Sequence, residues 1–385
     1  MQKNGPYARI FNINVKIRSR IMGEYNYEVS QKRIPAPTPD SIVENGQMHF
    51  GTFDSPFKNL NMLDCVKPCG KKMPSFMNAG RLTEWEAFEV HMDEGALISA
   101  IYRVGPMSFS IFVWYDKTED KIYSWRNLVP RSKAKVASQL VDDYCYCKTK
   151  KSEYRINNDF MNGKASAKGY SRGKSGEISI DMKFERISPL ANGVMPLAQN
   201  EDGSFRNALY SEKDFFKAKG TITLNGKAFT TNERSVGIID DHKGFYPFKA
   251  HYDWLTTMGT IDDNGQKKYF AFNLTRNQSV DQDNYNENVI WCDSESYPMP
   301  PVVFTHKNGK KKADEWHITD EGGQGIVDIT FKISKVFYMP IHALVIDCYY
   351  ALPFGTISGY VTDPNGTQYV VDGMLGIGED KTTRM

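Results

Sequence analysis

At 385 residues the chain suits two domains or one large β assembly, and it is far too long to depend on a disulfide-stapled miniature scaffold. Its 48 Lys and Arg against 46 Asp and Glu leave a net charge of +2, without the overall basic excess of a dedicated nucleic-acid binder. No apolar run approaches the ~20 residues of a membrane-spanning helix. The excess lies in the aromatics: 22 Phe, 21 Tyr and 6 Trp make up 13% of the chain, more than packing a core requires.

In chain order, Met1 to Ser30 carries charges at Lys3, Arg9, Lys16, Arg18 and Arg20 but no secretory apolar stretch, which points to a soluble, cytoplasmic protein. Residues 1–40 lack alternation and end in Pro35-Ala-Pro-Thr-Pro39, so a loosely attached extension is expected there. A first β domain is expected over 41–195 and a second over 196–385, with the boundary in the polar, Pro- and Gly-punctuated stretch Ile187 to Tyr210. Cys65, Cys69, Cys145, Cys147, Cys292 and Cys348 read as free thiols in a reducing compartment, and their spacing does not match a zinc site, so no metal is expected.

Asn-Gly pairs recur between alternating apolar runs, and both residues tolerate the positive φ of tight hairpin turns. Gly359 to Asp372 is the clearest such hairpin, and Ile178, Ile180, Met182 and Phe184 mark a strand with one wet face. Phe109-Ser-Ile-Phe-Val-Trp-Tyr115 is apolar on both faces, as expected of a strand between two cores or between a core and an apolar cavity. Helical signals are confined to Ser132–Asp143 and a short turn opening at Ser211. The fold class is therefore all-β and mainly antiparallel.

Three motifs suggest chemistry that their flanks do not support. Gly169-Tyr-Ser171-Arg-Gly173 has the spacing of a nucleophile elbow but lacks the apolar strand before it and the helix after it. Gly173-Lys174-Ser175 lacks the first glycine of a phosphate loop, and His306 to Lys312 reads as a solvated hairpin tip.

The sharper cluster runs from Asp240 to Trp254, after the strand-like Val236-Gly-Ile-Ile239. If the strand continues, Asp240 and His242 share one face while Asp241 points to the other. An Asp among aromatics has its pKa raised by desolvation, as a general acid needs, and a neighbouring imidazole could relay its proton. The competing reading is a capped turn with a solvated His242. Asn273, in Tyr269-Phe-Ala-Phe-Asn-Leu, and Asn286-Glu287-Asn288 before Trp291 are polar groups that either tie strands together or face a ligand.

From Asp240-x-x-x-Gly244-Phe-Tyr246-Pro247, Tyr252-x-Trp254, Phe272-Asn273-Leu274, Asn286-Glu287-Asn288-x-x-Trp291, Phe354-Gly355-x-x-Ser358-Gly359 and the terminal Asp372-Gly373-x-x-Gly376-x-x-Glu379-Asp380, the chain resembles the family of domain of unknown function 2804 over about residues 50–385. Asp241 and His242 depart from the family's usual residues. More distantly the Asp-x-x-x-Gly segment is similar to carotenoid hydratases, with tocopherol cyclase a looser relative. That resemblance implies two lipocalin-like, calycin-like β-barrels or strongly curved sheets packed together, an elongated apolar cavity, and an Asp, here Asp240, that protonates an isoprenoid double bond.

The resulting expectation is a hydratase, isomerase or cyclase that acts on an isoprenoid or lipid without a cofactor. Asp240 and His242 would be catalytic, Tyr246, Tyr252 and Trp254 would face a developing cation, and Asn273, Asn286, Glu287 and Trp291 would line the substrate. A non-catalytic carrier of a hydrophobic small molecule, and a glycan-binding or structural β protein, are the alternatives. No nucleic-acid partner or transmembrane segment is expected, and peripheral contact with a membrane stays open.

Overall fold

The computed structural model describes residues 27–263, 265–309, 314–343 and 346–384. Residues 1–26 of the expected extension, Asn264 and Lys310 to Lys312 lie outside the described residues. The fold is all-β: eleven strands form a nearly closed barrel, and nine form a half-barrel beside it. All strand pairs within these two ladders are antiparallel, as the Asn-Gly turns lead one to expect. Asn45-Gly46 and Asn225-Gly226 take positive φ at both positions (52° and 76°; 51° and 84°) between paired strands. Asn192-Gly193, in contrast, lies inside the strand Ala191–Gln199.

The strands that build the site, in chain order, are β1 (Thr83–Met92), β2 (Gly95–Val104), β3 (Met107–Asp116), β4 (Phe205–Leu224) and β5 (Val236–Gly244) of the barrel. From the half-barrel come β6 (Lys249–Asp263), β7 (Gln266–Arg276), β8 (Ile346–Thr362) and β9 (Met374–Arg384). In the barrel the order is β3-β2-β1-β5-β4, so strands distant in sequence become neighbours across the β1/β5 pair.

Alternation along β3 separates two cores. Phe112 and Trp114 point into the barrel, where they join Phe88, Tyr154, Phe184 and Phe216. Phe109, Ile111 and Val113 point outward, where they join Trp85, Trp254, Leu352 and Phe354 in a core shared by the two sheets. The half-barrel buries its other face around Phe272, Trp316 and Phe331. Each such large side chain contributes roughly 1.5–3 kcal/mol on burial, so both faces of the central strands are held in place.

Several expectations are corrected. The chain stays in the first sheet through Gly244 and crosses to the second only at Lys249, about fifty residues beyond the expected boundary, because β4 pairs with β5 and β5 pairs with β1. Ser132–Asp143 contains a 3-10 turn at Arg131–Lys133 and the short strand Ala134–Lys135 in place of a helix. Ser211 lies within β4, and Ser211, Glu212, Lys213 and Asp214 are all buried. The described part of the extension is tied down: the guanidinium of Arg33 is 4% exposed and donates to the carbonyls of Asn288 (2.6 Å) and Met299 (3.3 Å). Gly169–Gly173 is part of a strand, with buried Ser171 accepting from the Asn127 amide at 2.9 Å. All six cysteines are free, and among the described residues no helix is long and apolar enough to cross a membrane.

Candidate functional site

The register of three strands writes the site. Trp85, His242 and Ser211 lie in one cross-strand row, and Ala87, Asp240 and Lys213 lie two residues along it. Because side chains alternate, these six share the outward face, while Glu86, Asp241 and Glu212 form the row between them on the inward face. Asp240 and His242 do share a face, and Asp241 points the other way.

On the outward face the charges form one network. Lys213 donates from Nζ to Asp240 Oδ1 at 2.6 Å, and its side chain is 2% exposed. Nε2 of His242 lies 2.9 Å from Asp240 Oδ1, 3.2 Å from Glu287 Oε2 and 2.9 Å from Ser211 Oγ. Ser211 Oγ donates to Glu287 Oε2 at 3.0 Å, and the Asn277 amide donates to Oε1 at 2.5 Å. Nδ1 of His242 is buried and has no hydrogen-bond partner.

These distances overturn one expectation. Burial alone would raise the pKa of Asp240, but the charges of His242 and Lys213 outweigh it and hold the carboxyl well below its usual range. Burial likewise opposes ionisation of Glu287, and the same two cations bring its pKa down to about 2. His242 moves the other way: burial and Lys213 disfavour its charged form, but Asp240 and Glu287 prevail and raise its pKa. Asp240 is thus held as an anion, and the site favours the charged form of His242.

This network lies against two small cavities between the sheets. One, of about 30 Å³, is bounded by Trp85, His242, Tyr246, Tyr252, Trp254 and Glu287. The other, of about 100 Å³, runs along the outward face of β1, β2 and β3 and is closed from the half-barrel by Tyr252, Tyr350, Leu352 and Lys381. Ala87 and Ala100, paired across β1 and β2, leave the hollow between the bulkier rows on either side. Phe109, Tyr102, Trp85 and His242 stack in series, with centroid separations of 4.9, 5.1 and 4.5 Å. Lys381 Nζ sits 5.2 Å from the Trp85 ring centroid and donates to the Tyr102 hydroxyl at 3.0 Å. Tyr252 donates to Glu379 at 2.7 Å, and Tyr350 donates to its other oxygen.

The remaining sequence candidates divide. Tyr246, Tyr252, Trp254 and Glu287 meet at the cavities. Asn273 acts one step back, accepting from the Trp254 indole at 2.6 Å and donating to the Glu287 carbonyl at 2.8 Å. Asn286 lines a third hollow, of about 100 Å³, which Arg33 and Met195 bound together with Ser211, Lys213 and Glu287 of the network. Trp291 packs on Phe215 in another core and donates to the Pro189 carbonyl at 3.0 Å, away from the cavities. The sequence reading missed Lys213, Ser211, Trp85, Glu89 and Lys381. A signal existed for the first two: Ser211-Glu212-Lys213-Asp214 sits between the apolar runs Ala208–Tyr210 and Phe215–Phe216, as a strand interior would.

A larger surface groove of about 730 Å³ is lined by exposed charges of both signs, among them Lys164, Lys183, Lys217, Glu185 and Glu233. A metal could find donors elsewhere. His251, Asp253 and Asp380 bring potential ligand atoms within 4.8 Å of one another, and His306 Nε2 lies 3.0 Å from Asp253. His251 and Asp253 alternate with Tyr252 along β6 and so face away from the cavities.

The chain belongs to the family described as "Domain of unknown function (DUF2804)", whose model matches residues 32–385. No curated protein matches the sequence. Among solved structures, kievitone hydratase from Nectria haematococca is similar at 9% sequence identity and a TM-score of 0.42, over 78% of this chain and 88% of that one.

Proposed function

We propose that this member of the family is an acid–base enzyme acting on an uncharged, largely apolar small molecule held between the two sheets, with His242 as the proton donor. The observation that carries the reading is the placing of His242: Nε2 is held between two carboxylates while Nδ1, buried and unpartnered, belongs to a ring that lines a cavity. Asp240 and Glu287 keep the imidazole charged until substrate arrives, and Lys213 keeps the carboxylates ionised. Donation from Nδ1 to an alkene or carbonyl leaves positive charge on the substrate beside the faces of Trp85, Tyr246 and Trp254, where aromatic quadrupoles favour it. The neutral imidazole then takes a proton from an adjacent position of the substrate or from added water, so that isomerisation or hydration closes the cycle. An isoprenoid or another lipid fits these walls.

The test is proton exchange. Wild-type protein and His242→Gln are incubated in D2O with an apolar metabolite extract and with any molecule that native mass spectrometry finds co-purifying. Wild type should place deuterium in one species, and His242→Gln should slow this by about 10²–10⁴-fold. Equal labelling by both proteins rejects His242 as the donor. Retention of an unlabelled ligand makes the protein a carrier.

A further inference from the structure

We propose that Glu89 recognises the polar end of the substrate: its carboxyl group donates a hydrogen bond to a carbonyl, ether or hydroxyl oxygen. The molecule bound between the sheets is then neutral, apolar along its length, and oxygenated at the end remote from His242. This deepens the reading above and rests on it.

Glu89 lies on the outward face of β1, in line with Ala87 and Trp85, and is 2% exposed. Its cross-strand neighbours are Ile238 on β5 and Ile98 on β2, and Val113 follows on β3. It is thus an acid in an otherwise aliphatic row, at the wall of the 100 Å³ cavity. Four residues along the strand separate it from Trp85, the neighbour of His242, a span of about 13 Å. A substrate reaching both groups is elongated.

What marks Glu89 as a binding group is one carboxyl oxygen without a partner. A buried carboxyl kept for structural reasons is hydrogen-bonded, and the cavity supplies the contrast: Glu379 accepts from two tyrosine hydroxyls, whereas Oε2 of Glu89 has no hydrogen-bond partner. No cation pairs with Glu89 among the described residues. Burial keeps the proton on Glu89, the nearby anion Asp240 adds to this, Lys213 opposes it, and Glu379 adds again. A neutral carboxylic acid in an apolar cavity has an O–H donor to offer. A ligand oxygen is the acceptor that completes it. A ligand carboxylate would instead meet Asp240 and Glu379, against Lys381, which already donates to Tyr102, and would bind more weakly.

Four probes of one shape decide the matter: cyclohexanone, cyclohexane, cyclohexanecarboxylate and cyclohexylammonium, titrated into the full chain by calorimetry. Wild type should bind cyclohexanone about tenfold or more tighter than cyclohexane, the value of one hydrogen bond made out of water, and should bind the carboxylate weakest. Glu89→Leu should erase the ketone preference, and Glu89→Gln, which keeps a donor, should retain most of it. Infrared spectra of wild type at neutral pH should contain, beside the stretches of the barrel-core acids, a protonated-carboxyl component that shifts when cyclohexanone binds and is missing in Glu89→Gln. The proposal is overturned if Glu89→Leu keeps the preference, if the ammonium probe binds tightest, if none of the four binds, or if Glu89→Gln removes no component of the acid band. The infrared measurement and Glu89→Gln decide the case should Glu89→Leu fail to fold. These are equilibrium readings on inert probes, so an intact ketone preference without deuterium exchange removes the enzyme and leaves the binding group. Exchange without the preference does the reverse.

Discussion

Strands β1, β5 and β4 carry charge on both faces, and the two faces treat it in opposite ways. Toward the cavities, Lys213, Asp240, His242 and Glu287 lie within hydrogen-bond or ion-pair reach of one another and hold one another ionised. Toward the barrel core, Asp241 and Lys243 stand 3.7 Å apart and neither makes a hydrogen bond. There Glu86 is met by a thiol and an amide, and Glu212 by the Tyr210 hydroxyl. Burial is the largest influence on each core acid and it prevails: Glu86 and Glu212 are raised, and Asp241 is pushed up to about 8. On β5, one residue of alternation therefore separates Asp240, held as an ion, from Asp241, pushed toward its neutral form, while Glu89, outward on β1 but without a paired cation among the described residues, sides with the core acids. For Asp240 against Asp241, where burial opposes both charges, the closeness of the answering charge decides the outcome.

The strongest way to break this comparison is to remove the lysine from each face in turn. Lys213→Met leaves Asp240 and Glu287 with His242 as their only cation at hand and should cost about 3–5 kcal/mol of stability. Lys243→Met should cost much less, since Asp241, with its pKa pushed up to about 8, already holds its proton at pH 7. Urea unfolding of both variants at pH 7 measures the difference. Equal losses would mean that the core face is as ionic as the cavity face.

A smaller effect separates the faces by the sign of their pH dependence. Asp241 goes from 3.8 in the unfolded chain to about 8 in the fold. Between those values the folded protein holds the extra proton, so stability falls as pH rises across the window. Glu287 goes from 4.5 to about 2; its contribution is complete above 4.5 and is lost as pH falls toward 2. Asp241→Asn should therefore flatten the fall on the alkaline side, and Glu287→Gln should flatten the acid limb. Melting temperatures measured from pH 3 to 9 test both, and slopes unchanged in either variant would contradict the assignment for that face.

The same alternation explains what could be read in the sequence. Ile178, Ile180, Met182 and Phe184 announce a strand because their pattern is local, and Asn225-Gly226 announces a turn for the same reason. The shared face of Asp240 and His242 follows from period two alone. The sign of the shift at Asp240 does not follow in full, because Lys213, which adds to the lowering by His242, is 27 residues away on a neighbouring strand. Ser211-Glu212-Lys213-Asp214 resembles a capped helix start because a charged residue looks the same in sequence whether water or a distant side chain receives it. The crossing between sheets was hidden likewise: Ile187 to Tyr210 reads as a linker, yet Ala191–Gln199 pairs with β4 along most of its length.

The smallest expected effect is at Cys145. Its thiol is fully buried and donates to Glu86 Oε2 at 2.9 Å, and the backbone N–H of Ala137 meets its sulfur at 3.1 Å. Burial first, and then the Glu86 carboxyl, hold its pKa well above that of a free thiol. Cys145→Ala removes one donor, but Glu86 keeps the Asn158 amide at 2.9 Å and, as a neutral acid, does not need a second. The cost should be about 1 kcal/mol, that of one ordinary hydrogen bond. In the folded wild type, iodoacetamide should modify the half-buried Cys65 and Cys69 and leave Cys145 untouched. A loss on Cys145→Ala as large as that of Lys213→Met would mean that Glu86 is ionised and relies on the thiol to stay so, and the division between the two faces would fall with it.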